Sequence, residues 1–104
     1  MASTKEYLDF VLEQLSLLDD ITCKVMMGEY IIYYRGKIIG GVYDNRFLVK
    51  NIKSAREKMP EAALELPYEG AKEMLLVDDV ENREFLKELF DVMNDELPEL
   101  KKRK

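Results

Sequence analysis

Cys23 stands directly before Lys24, the pairing in this chain that comes closest to an activated nucleophile, since a neighbouring ammonium favours the thiolate. The surrounding pattern argues for a quieter role. Ile21, Cys23, Val25 and Met27 alternate with Thr22, Lys24 and Met26 in the two-residue period of a strand, which sets the cysteine on the apolar side. There it is expected to be a small buried hydrophobe. The chain has no histidine, so neither a triad nor imidazole acid–base chemistry is available. A single cysteine without histidine also leaves zinc short of its usual ligands. The 21 carboxylates include no run with the spacing of a calcium-binding loop. Gly40-Gly41 alone does not make a phosphate-cradling loop. No catalytic residue, metal or cofactor is expected, and the chain is read as a non-enzyme without a small-molecule substrate.

What is left is recognition. Glu81, Glu84, Glu88, Asp91 and Asp95 recur at steps of three and four along one helical face. Such a run is ordinarily solvated surface, and a docking strip for a basic partner is the sharper alternative. The net charge of −5 is unevenly spread: −4 over residues 1–20, +5 over 21–58 and −6 over 59–104. The acidic whole opposes general attraction to phosphate backbones, while the basic middle allows a local patch.

These residues are positioned by elements that the periodicity predicts. Ser3 and Glu6 have capping-box spacing, and Leu8, Val11, Leu12, Leu15 and Leu18 form one helical stripe up to Asp19-Asp20. Strands follow over 21–27, 30–34, 37–43 and 46–49, broken at Gly28-Glu29, at Arg35-Gly36 and at Asp44-Asn45, whose residues tolerate positive φ. Gly40-Gly41 marks a bulge or a close backbone approach. A short helix from Asn51 to Met59 closes at Pro60, and residues 61–70 read as loop or a short extended piece. Met74–Val77 is a short strand, and Asp78-Asp79 is expected to open a last helix with Leu86, Leu89, Phe90, Met93 and Leu97 on its apolar face. Leu12, Leu15, Leu86 and Leu89 are expected in the core. The fold class is therefore α+β in two layers: one antiparallel sheet with helices on one face, in the order α-β-β-β-(β)-α-β-α. Residues 1–98 are read as one domain and 99–104 as a basic disordered tail. The start lacks the features of a signal peptide, the lone cysteine excludes an internal disulfide, and no apolar stretch approaches the ~20 residues that span a bilayer, so a cytoplasmic, non-membrane protein is expected.

The run Lys24-Val25-Met26-Met27-Gly28-Glu29-Tyr30, followed by Tyr33, Gly36-Lys37, Asp44 and Phe47-Leu48-Val49-Lys50, resembles the N-terminal domain of the TfoX/Sxy competence regulators. Pro67-Tyr68-Glu69-Gly70-Ala71-Lys72-Glu73-Met74 and a final helix ending near Leu97-Pro98 fit the same pattern. The resemblance implies a two-layer fold of helix, meander, helix, strand and helix. It also implies kinship with regulators of DNA uptake that act with a cyclic-AMP-dependent transcription activator. Two-domain members carry a further C-terminal domain that this sequence does not include. The family supplies no catalytic residues to carry over.

One surface follows from the strands themselves. Tyr30–Tyr34 and Ile38–Tyr43 are apolar or aromatic on both faces, yet helices cover only one face of a single sheet. The other face would present some of Met26, Ile31, Tyr33, Ile39 and Tyr43, and the sequence leaves open which parity points outward, or whether residues 61–70 cover it. The candidate interaction surface is Lys24, Met26, Gly28, Glu29, Tyr30, Tyr33, Lys37 and Tyr43. The expected function is a regulatory or protein-interaction module with a protein partner or a homodimer. Nucleic-acid binding through the basic strands is the alternative, although the paired aromatics of base-stacking sheets are absent.

Overall fold

Three two-residue turns set the register of the middle of the chain in the computed structural model, which describes residues 3–97. Met27-Gly28, Arg35-Gly36 and Asp44-Asn45 all have positive φ at both positions, 54° and 85°, 53° and 80°, 54° and 57°. That is the type I′ geometry whose twist matches a hairpin. The turns join β1 (Ile21–Met26), β2 (Glu29–Tyr34), β3 (Lys37–Tyr43) and β4 (Arg46–Val49) into an antiparallel meander. Around it lie α1 (Lys5–Gln14), α2 (Lys53–Lys58), β5 (Leu64–Glu65), β6 (Met74–Leu76) and α3 (Arg83–Glu96). The sheet order is β1-β2-β3-β4-β6-β5 with every pairing antiparallel, so the expected α+β class stands.

The helices share one face of the sheet. Leu8, Val11 and Leu15 from the first helical segment, Ala55 from α2 and Leu86, Leu89, Phe90 and Met93 from α3 form one cluster with Ile32, Val42, Phe47, Val49 and Leu75 from the strands. Leu12, expected in the core, is only half-buried and packs at its edge. No helix among the described residues is long and apolar enough to cross a membrane.

Several boundaries differ from the sequence reading, each for a local reason. Thr4, not Ser3, caps α1, its hydroxyl accepting from the Tyr7 N–H at 3.1 Å. Ser3 is buried elsewhere: its hydroxyl donates to Glu29 at 2.7 Å and accepts from the Asn45 N–H at 3.0 Å. The last helix opens at Asn82, which accepts from the Phe85 N–H at 3.1 Å, rather than at Asp78-Asp79. The helix after β4 is shorter than Asn51–Met59. Within 61–70 the short extended piece that the sequence allows is present, as a two-residue strand paired with the free edge of β6. Pro98 and the expected tail at 99–104 lie outside the described residues.

Two acids of α3 hold the layers together rather than standing free. Asp91 accepts the Tyr34 hydroxyl at 2.7 Å and Lys87 at 3.0 Å. Glu96 accepts the N–H groups of Ser54 at 2.7 Å and Lys53 at 3.3 Å, capping α2 from outside. Asp91 is held below the usual carboxylate range chiefly by the Tyr34 hydroxyl, with Lys87 assisting, and Glu96 by the Ser54 N–H. A carboxylate depressed in the folded state adds stability above its unfolded pKa and loses it as pH falls through the folded value. Melting temperature should therefore decline on acidification below about pH 4, the ordinary carboxylate range. A Tyr34→Phe, Glu96→Gln double variant should show a shallower decline, and an unchanged acid limb in thermal melts would remove these two groups from the account.

Candidate functional site

Strand parity decides which residues reach the face away from the helices. The pairs Thr22↔Tyr33, Lys24↔Ile31 and Met26↔Glu29 lie opposite the buried Ile32 and Tyr34 in the pleat, so they form the outer face on β1 and β2. On β3 a bulge shifts the register between Ile32 and Tyr33: Tyr33 pairs with Ile38, Ile32 with Gly40, and Ile39 is the extra residue. Ile39 consequently turns to the core and is fully buried, while Ile38, Gly41 and Tyr43 remain on the outer side. The close approach expected at Gly40-Gly41 is also present. A Cβ on Gly40 would press on the Leu48 carbonyl and stand 2.8 Å from the Val49 Cα.

The outer face is covered over one half and open over the other. Arg46 reaches out of β4 to Glu65 at 2.6 Å and to the Leu66 carbonyl at 2.9 Å, anchoring the segment that follows β5. Pro67 is buried in this segment, and the Tyr68 ring lies 6.3 Å from that of Tyr43. Tyr43 and, on the same side, Leu48 are buried even though they face away from the helices. Beyond Tyr43 the cover stops. Met26, Met27, Glu29, Ile31, Tyr43 and Tyr68 line a cleft of about 330 Å³. Met26 and Tyr68 at its rim are 46% and 55% exposed, and Met27 at the hairpin tip is 96% exposed. Lys24 stands beside it with its ammonium 5.9 Å from the Tyr33 ring centre, a cation–π contact on an open surface.

Of the residues expected here, Lys24, Met26, Glu29, Tyr33 and Tyr43 share the outer face, and Gly28 forms the turn at its rim. Two expected residues are elsewhere. Tyr30 pairs with Val25 and Val42 on the helix side and packs against the core. Lys37 also points to the helix side, where its ammonium donates to the carbonyls of Asn94 at 2.9 Å and Leu97 at 3.0 Å and so terminates α3. Glu29 is partly committed, its carboxylate receiving Ser3 and the Asp44 N–H at 3.1 Å. Tyr68, Ile31 and Met27 complete the cleft. Tyr68 comes from a stretch with no strand period to flag it, and its signal is an aromatic residue set between Pro67 and Gly70.

Cys23 corrects the sequence reading most clearly. It lies on the helix side by parity, opposite Ile32, but it is exposed. The sheet is wider than the helix layer, and β1, the outermost strand, is exposed from Thr22 to Met26. Alternation gives a residue's face; it does not show whether anything packs there. The basic residues of the middle segment are likewise dispersed. Arg46 is paired with Glu65, Lys58 with Glu88 at 3.2 Å, Lys37 holds α3, and the Arg35 guanidinium lies 5.3 Å from the Tyr34 ring centre.

Residues 13–91 match the family described as the TfoX N-terminal domain. The chain is also 35% identical, over 80 residues, to a Spirochaeta aurantia protein described as an uncharacterized 12.7 kDa protein in the trpE 5′ region. That match covers 77% of this chain and 70% of the relative. No solved structure matches the chain.

Proposed function

The chain belongs to the TfoX N-terminal domain family, and from that premise we propose that it is a competence-regulator-like module that works without catalysis, by docking a protein partner on the open half of its outer sheet face. The half-covered face carries this reading. The segment around Pro67 and Tyr68 packs on Tyr43, yet the sheet continues past it into a cleft lined by Met26, Met27, Ile31 and Tyr68. Apolar surface gathered in a concavity and rimmed by Lys24 and Glu29 suits an apolar side chain presented by a protein segment. The dispersal of the basic residues over both faces and into structural contacts disfavours a phosphate-tracking surface.

The test is capture from lysate with the wild-type chain and with Ile31→Glu as parallel baits. Ile31 is half-buried and outside the core cluster, so the variant should keep its melting temperature within a few degrees. A specific protein retained by the wild type and lost from the variant supports the reading. Identical capture by both overturns it, as does a nucleic acid retained with an affinity that falls steeply with salt.

A further inference from the structure

The two edges of the sheet are built differently. At one end β5 is a strand of 2 residues, and at the other β1 has 6 and is exposed from Thr22 to Met26. Open edges of that length usually carry proline, a bulge or several charges that stop another strand from adding. β1 has Lys24 alone.

Hairpin geometry shows which backbone groups are free. Across a two-residue turn the flanking residues, here Met26 and Glu29, form a hydrogen-bonded pair, and bonded pairs alternate with non-bonded ones along the ladder. Lys24↔Ile31 and Thr22↔Tyr33 are then bonded too, and the Arg35 N–H donating to the Asp20 carbonyl at 3.0 Å continues the alternation. The N–H and C=O groups of Ile21, Cys23 and Val25 therefore point out of the sheet at its open edge.

We propose that a second copy of this chain pairs with β1, antiparallel about a two-fold axis perpendicular to the sheet, with Cys23 opposite Cys23 of the second copy. Such an axis keeps each face continuous across the seam, so residues of like parity stand opposite one another. Centring on Lys24 would set two ammonium groups directly opposite, which is destabilising. Centring on Val25 runs at once into the Met27-Gly28 turn and pairs fewer residues. Centring on Cys23 pairs Ile21 with Val25 of the second copy and satisfies the outward groups of both strands. Lys24 then faces Thr22, while its contact with Tyr33 draws it back from the axis. The same register carries the Met26-Met27 tip onto the Leu17–Asp20 turn of the second copy. Leu17, Val25, Met26 and Met27 are four of the seven large hydrophobic residues that are exposed among the described residues, and one seam gathers them. The seam takes in Met26 and Met27, which also line the cleft, but Ile31, Tyr43 and Tyr68 lie outside it, and the pairing does not depend on what docks there.

Cys23 is the reporter. Hydrogen-bonded antiparallel residues have Cα atoms ~5.5 Å apart, within reach of a disulfide. Diamide, which takes up the two electrons and two protons released by a pair of thiols, should convert the full chain to a covalent dimer that reductant reverses. Sedimentation of reduced wild type should show a dimer that dissociates on dilution. Val25→Lys should shift it to monomer with its melting temperature kept, because Val25 is 71% exposed. Leu64→Lys, at the other edge, and Ile31→Glu, in the cleft, should leave the dimer intact, so failure of the docking reading and failure of this one are separable. A wild type that stays monomeric at high concentration overturns the proposal. So does a dimer that survives Val25→Lys. In a Cys23→Ser background, Thr22→Cys should cross-link more slowly than the native Cys23 does; faster cross-linking overturns the register.

Discussion

Phe90→Ala should lower the free energy of unfolding by about 3–5 kcal/mol, the range for removing a fully buried aromatic ring. The ring has no exposure and sits where α3 meets two strands, its centre 5.8 Å from the Tyr34 ring and 6.1 Å from the Phe47 ring, tilted against both. Its removal takes away apolar area, leaves a cavity between the layers and ends two aromatic contacts worth more than their area. A domain of this size is stable by only about 5–15 kcal/mol, so the variant should be marginal at 37 °C. Urea denaturation gives the comparison. Leu64→Ala, on an exposed side chain, should stay within about 0.5 kcal/mol of wild type. A loss under about 1 kcal/mol for Phe90→Ala would mean that α3 does not seal the sheet as described.

Gly40→Ala should cost on the order of 3 kcal/mol, at the upper end of what overpacking does, although it adds a single methyl group. The obstacle is backbone, which cannot swing aside: the Leu48 carbonyl and the Val49 Cα, 2.8 Å from the new carbon. Relief requires β3 and β4 to part at Gly40↔Val49, beside the bulge that aims Ile39 at the core. Gly36 offers an internal contrast. A Cβ there meets nothing, and its cost is the positive φ of 80°, about 1–2 kcal/mol for a residue other than glycine. The ranking Gly40→Ala worse than Gly36→Ala, read from paired thermal melts, is the discriminating result. The reverse order would contradict the close strand approach.

The meander was legible because its information is local. Arg35-Gly36 and Asp44-Asn45 name their own turns, and apolar stripes fix the helical faces whatever they pack against. The outer face was half legible. Its existence follows from two-sided apolar strands, but the bulge reverses parity within β3, so no single alternation describes both Ile39 and Tyr43. Tyr30 and Lys37 were attractive as aromatic and basic residues beside a turn, yet the pleat sends both to the helix side. Lys37 then finds carbonyls at the end of α3 that lie 57 and 60 residues away in sequence, a distance no local pattern spans. Cys23 failed differently, since its face was right and the missing fact was the width of the helix layer. The acid stripe of α3 read as solvated surface, but Asp91 proves to be a tether to Tyr34.

The insertion of β6 between β4 and β5 has a consequence for synthesis on the ribosome. The first four strands are contiguous in sequence and need nothing downstream to pair with one another. The far side of β4, however, finds its partner only when Met74–Leu76 has emerged, and α3, which covers Phe47 and Val49, follows later still. At ~5–20 residues per second, the stretch from Val49 to Leu76 keeps a nascent chain waiting roughly 1–5 s with that flank bare. In that window the growing polypeptide presents two long unsatisfied strands, β1 and β4, where the finished one presents β1 and the two-residue β5. The nascent chain is therefore in its most adhesive form just before its last third arrives.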